Sequence, residues 1–300
     1  MTRPEVRIYE VGPRDGLQSE ATLVSTDDKV RFITLLANAG LQEIEATSFV
    51  RADAIPQLAD ADQLLPRLER RPRVRYSVLV PNARGMERAV AAGADAICLF
   101  TAASEAYARA NMNMSIDESL AAFEPVVAAA RSSGMWIRAY VSTAFGCPYS
   151  GEVDEHAVVT LSERLLRLGA DELSISDTVG VAAPVDVRRV VGALLAAGID
   201  PQTLALHLHD TRGTALANVM AGMEVGVRCF DAAASGIGGS PYAPGAAGNL
   251  ATEDLIYLLD REGVRTGVNL DGVLDAARFI SEALGRPISS RVGRAGPWPA

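Results

Sequence analysis

The chain contains very little lysine, cysteine or histidine. Of its 28 basic residues only Lys29 is a lysine, and the 300 residues include three cysteines and three histidines. Lys29 follows Thr26, Asp27 and Asp28, a pattern typical of a capped helix start, so we expect its ammonium to be solvated. Schiff-base chemistry needs a desolvated lysine in the active site. The sequence therefore argues against a Schiff-base mechanism, and if the chain makes or breaks carbon-carbon bonds, a metal ion would have to serve as the electron sink instead.

Excess basic charge and long apolar runs are also missing. Cys98, Cys147 and Cys229 are too few and too widely spaced for a disulfide framework or a zinc knuckle, which favours a reducing compartment. The formal charge of -9 and the pI near 5.0 argue against a nucleic acid or an anionic membrane as the main partner. The start of the chain has no apolar leader, and no stretch approaches the roughly 18 apolar residues of a membrane span. We expect a cytoplasmic protein that does not bind membranes.

Short β-rich runs alternate eight times with longer amphipathic runs. The predicted strands are Val6 to Val11, Glu43 to Thr47, Val74 to Val80, Ala96 to Phe100, Trp136 to Val141, Glu172 to Ser176, Leu204 to His209 and Cys229 to Ala233. The predicted helices are Asp27 to Ala39, Ile55 to Leu64, Ala83 to Ala92, Ile116 to Ser132, Glu155 to Leu168, Pro184 to Ala196, Ala215 to Glu224 and Thr252 to Arg261. This pattern predicts a single α/β domain over residues 1–300, a closed (β/α)8 TIM barrel with a C-terminal capping helix from Asp271 to Leu284. A doubly wound open sheet is the alternative.

His207 and His209 are the most informative residues of the chain. Side chains at i and i+2 of a strand point to the same face, so the two imidazoles would lie together at the C-terminal end of the seventh strand. Neutral imidazole is a common ligand of divalent metals. Two structural histidines in a core are the alternative, and His156 is the only other histidine in the chain. The pair favours a metal site.

Polar residues recur at the ends of other predicted strands, where a barrel carries its chemistry. They are Arg14 and Asp15 after the first strand, Glu45 and Ser48 at the second, Asp177 and Thr178 at the sixth, and a glycine-rich segment from Ser235 to Asn249 after the eighth. Each one alone has a structural explanation, such as a helix cap or a buried ion pair, but together they indicate one site. The glycine-rich segment lacks the spacing of a phosphate loop, and we interpret it as a lid that closes over a substrate.

Three motifs resemble those of the 3-hydroxy-3-methylglutaryl-CoA (HMG-CoA) lyases. They are Glu10-Val-Gly-Pro-Arg-Asp-Gly-Leu-Gln18, His207-Leu-His209-Asp-Thr211, and Gly238-Gly-Ser-Pro-Tyr-Ala243 with Gly248-Asn249-Leu-Ala-Thr-Glu253-Asp254. The Arg-Asp and His-x-His elements are shared by a wider superfamily of metal-dependent barrel lyases and Claisen-type synthases. The Gly-Pro-Arg-Asp-Gly-Leu-Gln form of the first motif and the Gly-Gly-x-Pro-Tyr loop are specific to the lyase branch, which Gly146-Cys147-Pro148-Tyr149 also resembles. The resemblance covers the chain from about Val6 to Val292.

The resemblance implies a divalent cation, Mg²⁺ or Mn²⁺, bound by Asp15, His207, His209 and Asn249. It implies that Arg14 stabilises the enolate oxygen of a thioester, and that a histidine such as His207, or Asp15, accepts the proton of the substrate hydroxyl. Further residues would act around these groups: Glu45, Asp177 and Glu253 by supporting them, and Gln18, Ser48 and Thr178 by contacting the substrate. The implied partner is an acyl-CoA thioester, and the implied assembly is a homodimer.

The implied reaction is retro-Claisen cleavage of a 3-hydroxyacyl-CoA, in the first place of HMG-CoA to acetyl-CoA and acetoacetate, as in leucine degradation and ketone body formation. The chain departs from the lyases at Ser240, where the resemblance implies a cysteine that protonates the enolate, and at Ala21, where it implies a lysine. A serine hydroxyl is a much weaker acid than a thiol. The enzyme could cleave slowly, use water or Cys147 as the proton donor, or act on a related substrate such as citramalyl-CoA.

Three other functions remain open at this stage. A Claisen-type synthase would use the same metal site but usually carries an additional C-terminal domain. A non-catalytic metal-binding relative would explain Ser240 as lost chemistry. An aldolase acting on free hydroxy acids would be indifferent to the CoA moiety.

Overall fold

Eight parallel strands close into a barrel in the computed structural model, which describes residues 5–239, 248–296 and 298. The strands are β1 (Arg7–Glu10), β2 (Glu43–Ser48), β3 (Arg75–Leu79), β4 (Ala96–Ala102), β5 (Trp136–Ser142), β6 (Glu172–Asp177), β7 (Leu204–Leu208) and β8 (Cys229–Ala232). Each strand pairs with the next one along the chain, and β8 pairs with β1. The closed barrel confirms the predicted (β/α)8 fold, and the doubly wound alternative was wrong. One domain over residues 1–300 stays a prediction.

The helices surround the barrel. They are α1 (Thr26–Asn38), α2 (Ala61–Leu64), α3 (Ala83–Ala91), α4 (Glu105–Met112), α5 (Ile116–Ser132), α6 (Glu155–Leu168), α7 (Pro184–Ala196), α8 (Ala215–Glu224), α9 (Thr252–Arg261), α10 (Leu270–Leu284) and α11 (Arg291–Ala295). The predicted C-terminal helix is α10, which packs against α9 and α1 in the outer layer. Within the described ranges, no helix has the length and apolar character needed to cross a membrane.

The segment from Ile55 to Leu64 was predicted to be one helix, and that prediction was wrong. A 3-10 turn covers Pro56–Leu58, and α2 is a single turn that begins after Asp60. The backbone of Asp60 leaves helical geometry, with φ -91° and ψ 13°, so the two pieces do not join. The interruption leaves the carboxylate of Asp60 in contact with α1, where it accepts hydrogen bonds from Thr26 and Lys29.

Lys29 is buried rather than solvated, which corrects the expectation from its neighbours in sequence. Its side chain is 4% exposed, and Nζ donates to Oδ1 of Asp60 at 2.8 Å and to the carbonyl oxygen of Gln57. A buried ammonium requires such partners. Both partners come from the segment after β2, so the local sequence of α1 gave no sign of them. Because the Lys29 ammonium is bound in this ion pair, its role is structural.

Charged side chains fill part of the barrel interior. Arg138 on β5 is fully buried, and its Nη1 and Nη2 donate to the carboxylate of Asp231 on β8 at 3.1 and 2.6 Å. Its guanidinium lies over the ring of Tyr9, 3.7 Å from the centroid. Buried charges are tolerated when they are paired in this way. The network places a negative charge next to the end of β7, where the predicted metal site lies.

Candidate active site

The turn after β1 is tied to the turn after β8 by a buried carboxylate. The chain leaves β1 through a π-helical turn, Gly12–Gly16, which carries the Arg-Asp pair. Glu10 accepts hydrogen bonds from the backbone N–H groups of Gly12 and Ala234, both at 2.9 Å, and from the hydroxyl of Thr252 at 2.6 Å. Burial raises the pKa of Glu10 to about 7. These bonds hold the ends of the first and last strands in register at the rim of the barrel.

The two histidines converge on one point, as their spacing predicted. The Nε2 atoms of His207 and His209 lie 3.1 Å apart. Nδ1 of His207 lies 3.2 Å from Oδ2 of Asp231, its partner in the β7–β8 ladder, which assigns the proton to Nδ1. The lone pair of His207 Nε2 is thereby directed toward His209. A carboxylate behind a histidine is the usual arrangement for fixing a metal ligand.

Asp15 and Asn249 complete the group. One ligand atom from each of Asp15, His207 and His209 lies within 4.8 Å of the others. Asn249 pairs with His209 in a short β-bridge, which places its side chain at the site. Its Nδ2 donates to Oδ2 of Asp15 at 2.9 Å and to the carbonyl oxygen of Ile237 at 3.2 Å. Because Nδ2 is used in this way, the amide oxygen is the atom that Asn249 would offer to a cation.

The electrostatics of these groups suit a divalent cation. Burial, with His207 adding to it, lowers the pKa of His209 to about 3, so this imidazole is neutral. Burial opposes ionisation of Asp15, but Arg14 and the two histidines outweigh it and lower the pKa of this carboxyl to about 2. Two ligand atoms at right angles around a cation, with bonds of roughly 2.1 Å, stand about 3 Å apart. The separation of the two Nε2 atoms and the mixture of nitrogen and oxygen donors therefore fit one divalent cation.

Arg14 is held rigidly beside this group. Its side chain is 6% exposed, with Nη2 2.7 Å from Oε2 of Glu45 and Nη1 2.8 Å from Oδ1 of Asp15. Tyr140 supports the arrangement from β5, because its hydroxyl donates to the same Glu45 oxygen at 2.9 Å and its ring centroid lies 5.3 Å from the Arg14 carbon Cζ. Arginine offers five N–H donors in a planar fork, so these partners leave donors for a substrate oxygen. The cation site and a fixed guanidinium are thus adjacent.

A cavity of about 800 Å³ opens from these residues toward the surface. Arg14, Asp15, His207 and His209 form its base, and its walls include apolar side chains such as Phe100, Met112 and Phe123. Ligand cavities of this size, with a few polar groups at the base of an apolar wall, are typical of sites for small organic molecules. The opening lies at the C-terminal ends of the strands, as expected for a barrel enzyme.

Comparison with known proteins places the chain in a family. The HMGL-like family model matches residues 5–280. The chain belongs to this family. It is 47% identical over 290 residues to the cytoplasmic 3-hydroxy-3-methylglutaryl-CoA lyase of Rattus norvegicus, an alignment that covers 97% of this chain and 84% of the relative.

Solved structures of HMGL-like relatives match the whole barrel. The HMG-CoA lyase of Bacillus subtilis has a TM-score of 0.95 at 45% identity, covering 98% of this chain and 99% of the relative. The HMG-CoA lyase of Acinetobacter baumannii, solved with coenzyme A and 3-methylmalate, has a TM-score of 0.93 at 40% identity and covers 100% of both chains. The resemblance found in the sequence motifs is confirmed at the level of the family and the fold.

Of the three residues predicted to contact the substrate, two line the cavity and one does not. Gln18 and Thr178 line the cavity. The hydroxyl of Ser48 is fully buried behind it, where it donates to the carbonyl oxygen of Leu79 and accepts from the N–H of Val50, both at 3.3 Å. The structure therefore brings Gln18 and Thr178 to the cavity surface, whereas Ser48 is engaged with backbone.

Asp177 and Glu253, predicted to support the site, both bind backbone at strand ends. Asp177 accepts from the N–H groups of Val181 and Ala182 at 2.9 and 3.0 Å and so shapes the loop after β6. Glu253 accepts from the N–H of Ser235 at 3.0 Å, and burial raises its pKa to about 7. Both carboxylates fix loops rather than face the cation site.

Ser240 and the rest of the segment 240–247 lie outside the described residues. The structure therefore does not place the predicted lid or the residue at the position where a proton donor to the enolate was expected. The two ends of this segment are close together. A Cβ atom at Gly248 would lie 2.2 Å from the carbonyl oxygen of Gly238, so this contact requires glycine at position 248. The contact holds the following residue, Asn249, beside His209.

Three residues of the site were missed by sequence reasoning: Arg138, Tyr140 and Asp231. Arg138 and Tyr140 stand two positions apart on β5, and Asp231 interrupts the apolar run of β8. The sequence did contain a signal for them. Each is a charged or aromatic polar residue inside a predicted barrel strand, and because side chains alternate along a strand, such a residue can point into the barrel.

Proposed function

We propose that this chain is a carbon-carbon lyase that cleaves a 3-hydroxyacyl-CoA between C2 and C3, with HMG-CoA as the first candidate. The observation that carries the proposal is the meeting of Asp15, His207 and His209 with Arg14 at the base of one cavity. The relatives named as HMG-CoA lyases support the same substrate class. The products would be acetyl-CoA and acetoacetate.

The reaction requires loss of the C3 hydroxyl proton and stabilisation of negative charge on the thioester oxygen. A divalent cation bound by Asp15, His207, His209 and Asn249, either Mg²⁺ or Mn²⁺, would supply Lewis acidity that lowers the pKa of the hydroxyl. Asp15, which is ionised, would accept that proton, because His207 is protonated on Nδ1 and would use Nε2 to bind the cation. The guanidinium of Arg14, fixed in place by its carboxylate partners, would stabilise the enolate oxygen without reorganisation.

Protonation of the enolate carbon is the step for which the family resemblance implies a cysteine at the position of Ser240. If the pocket still takes HMG-CoA and only the proton-donating residue is lost, Ser240→Cys is expected to raise the rate of HMG-CoA cleavage at least about tenfold. The reason is that general acid catalysis contributes a rate factor of roughly 10² to 10⁴. The measurement is kcat for the parent and the variant before and after thiol alkylation. Alkylation should remove the gain and leave the parent unchanged. An equally slow variant, with fast turnover of another acyl-CoA by both proteins, would show that the substrate has changed.

The substrate is tested with a coupled assay over a panel of 3-hydroxyacyl-CoA thioesters, including HMG-CoA and citramalyl-CoA, with Mn²⁺ or Mg²⁺ supplied. We expect HMG-CoA to be cleaved with the highest kcat/KM, and a preference for citramalyl-CoA would assign the related substrate. Exchange of the acetyl-CoA methyl protons with deuterated solvent separates a lyase from a non-catalytic relative. Cation-dependent exchange is expected, and no exchange together with no cleavage would overturn the proposal.

The assembly and location belong to the same proposal. We propose a cytoplasmic homodimer with one domain over residues 1–300, on the basis of the family resemblance and the acidic, cysteine-poor composition. Light scattering of the purified protein tests the oligomeric state, and a monomer at micromolar concentration would contradict it.

A further inference from the structure

Basic side chains are scarce along the cavity. Among the described residues that line it, Arg14 and Arg51 are the two arginines, and there is no lysine. Arg14 lies at the base and is committed to Glu45 and Asp15. The side chain of Arg51 is 77% exposed, and it lies at the mouth together with Ala21 and Glu20. Arg51 is therefore the one basic residue that lines the mouth among the described residues, and Arg286, which does not line the cavity, is paired with Glu20 at 2.9 Å.

Arg51 is held by a weak partner. Its Nε donates to Oδ1 of Asp53 at 3.0 Å, and Nη2 bonds the other carboxylate oxygen. The carboxylate is 68% exposed and only two residues away in the same loop. Ion pairs this exposed contribute little to stability, because water and salt screen them. A ligand with a higher charge density than a carboxylate can displace Asp53 at small cost.

We propose that Arg51 binds a phosphate group of the CoA nucleotide and sets the preference of the site for CoA over pantetheine thioesters. This inference rests on the proposed function, which puts the acyl group at the base of the cavity. The thioester arm must then run outward along the walls, and the phosphates of the nucleotide emerge near the mouth. The planar fork of arginine matches phosphate oxygens in pairs.

The charge of the protein makes this one contact important. The chain carries a formal charge of -9, and the acidic lining residues Asp15 and Glu20 are each paired with an arginine that is not Arg51. A CoA thioester bears several negative charges, so loss of Arg51 would weaken the attraction between its nucleotide and the mouth of an acidic protein. A pantetheine thioester carries none of these phosphates and should be insensitive to the change.

The test is calorimetric binding of CoA, dephospho-CoA and pantetheine to the full chain, which does not depend on turnover. We expect Arg51→Ala to weaken CoA binding about 5- to 20-fold and to leave pantetheine binding unchanged. Asp53→Asn, which releases Arg51, should strengthen CoA binding about two- to fivefold. Arg67→Ala is the matched control, because Arg67 also forms an exposed pair, with Asp27, and does not line the cavity. It should bind all three ligands as the parent does.

The three ligands separate the possible outcomes. If Arg51→Ala weakens CoA and dephospho-CoA equally, the contact is with the diphosphate, and if only CoA is weakened, it is with the 3′-phosphate. Unchanged CoA binding, or equal weakening of pantetheine, overturns the proposal. A parent that binds CoA with this discrimination but cleaves no thioester would count against the proposed lyase activity and not against the role of Arg51.

Discussion

Replacing His209 with alanine is expected to abolish turnover and to weaken binding of Mn²⁺ by at least about tenfold. The variant removes one of two imidazole nitrogens that lie 3.1 Å apart and leaves three of the four proposed ligands, which should hold a cation more weakly. The loss should appear in direct metal binding as well as in activity. Calorimetric titration with Mn²⁺ and the bound metal content after desalting are the two measurements.

The matched control is His156→Ala, which removes an exposed imidazole at the start of α6 and should bind metal and turn over as the parent does. In the presence of chelator, thermal unfolding of His209→Ala should differ little from that of the parent, because the imidazole stabilises the fold mainly through the metal. Retained metal stoichiometry in His209→Ala would refute the assignment of the cation site.

Much of the barrel was predictable because its strands and helices differ in period and length. The boundaries of β7 and α6, for example, lie within one residue of the prediction. Helix α4 was missed, since it is only eight residues long and lies between β4 and the longer α5. Ser104 caps it and Asn113, with φ 56°, ends it. These local signals were present but were outweighed by the expectation of one helix per crossover.

The position of a site residue was predictable where it depends on neighbours in sequence. It was not predictable where it depends on partners far away along the chain. The i and i+2 spacing of His207 and His209 was enough to place two imidazoles together. The burial of Lys29 depends on Asp60, 31 residues away, and the buried position of Ser48 depends on the backbone of β3. The role of Asp231 depends on the alignment of β7 with β8. Such contacts arise from closure of the barrel, which a single sequence does not specify in atomic detail.

Replacing Arg14 with lysine is expected to lower kcat by roughly 10² or more while KM changes little. The guanidinium reaches Glu45 and Asp15 together through its fork, 2.7 and 2.8 Å from their oxygens, and a lysine ammonium cannot hold both and also face a substrate. If Arg14 stabilises charge that develops only in the transition state, its loss should fall on kcat. Steady-state kinetics with the substrate chosen by the panel assay measure the two constants.

The lysine variant keeps the positive charge, so Glu45 remains paired and Asp15 remains ionised, which makes it a better probe than alanine. Removing the charge altogether would leave a fully buried carboxylate with Tyr140 as its remaining partner and would confound catalysis with folding. Metal binding by Arg14→Lys should therefore match the parent, in contrast to His209→Ala. A loss confined to KM would make Arg14 a substrate-binding residue, and enolate stabilisation would then have to come from elsewhere in the site.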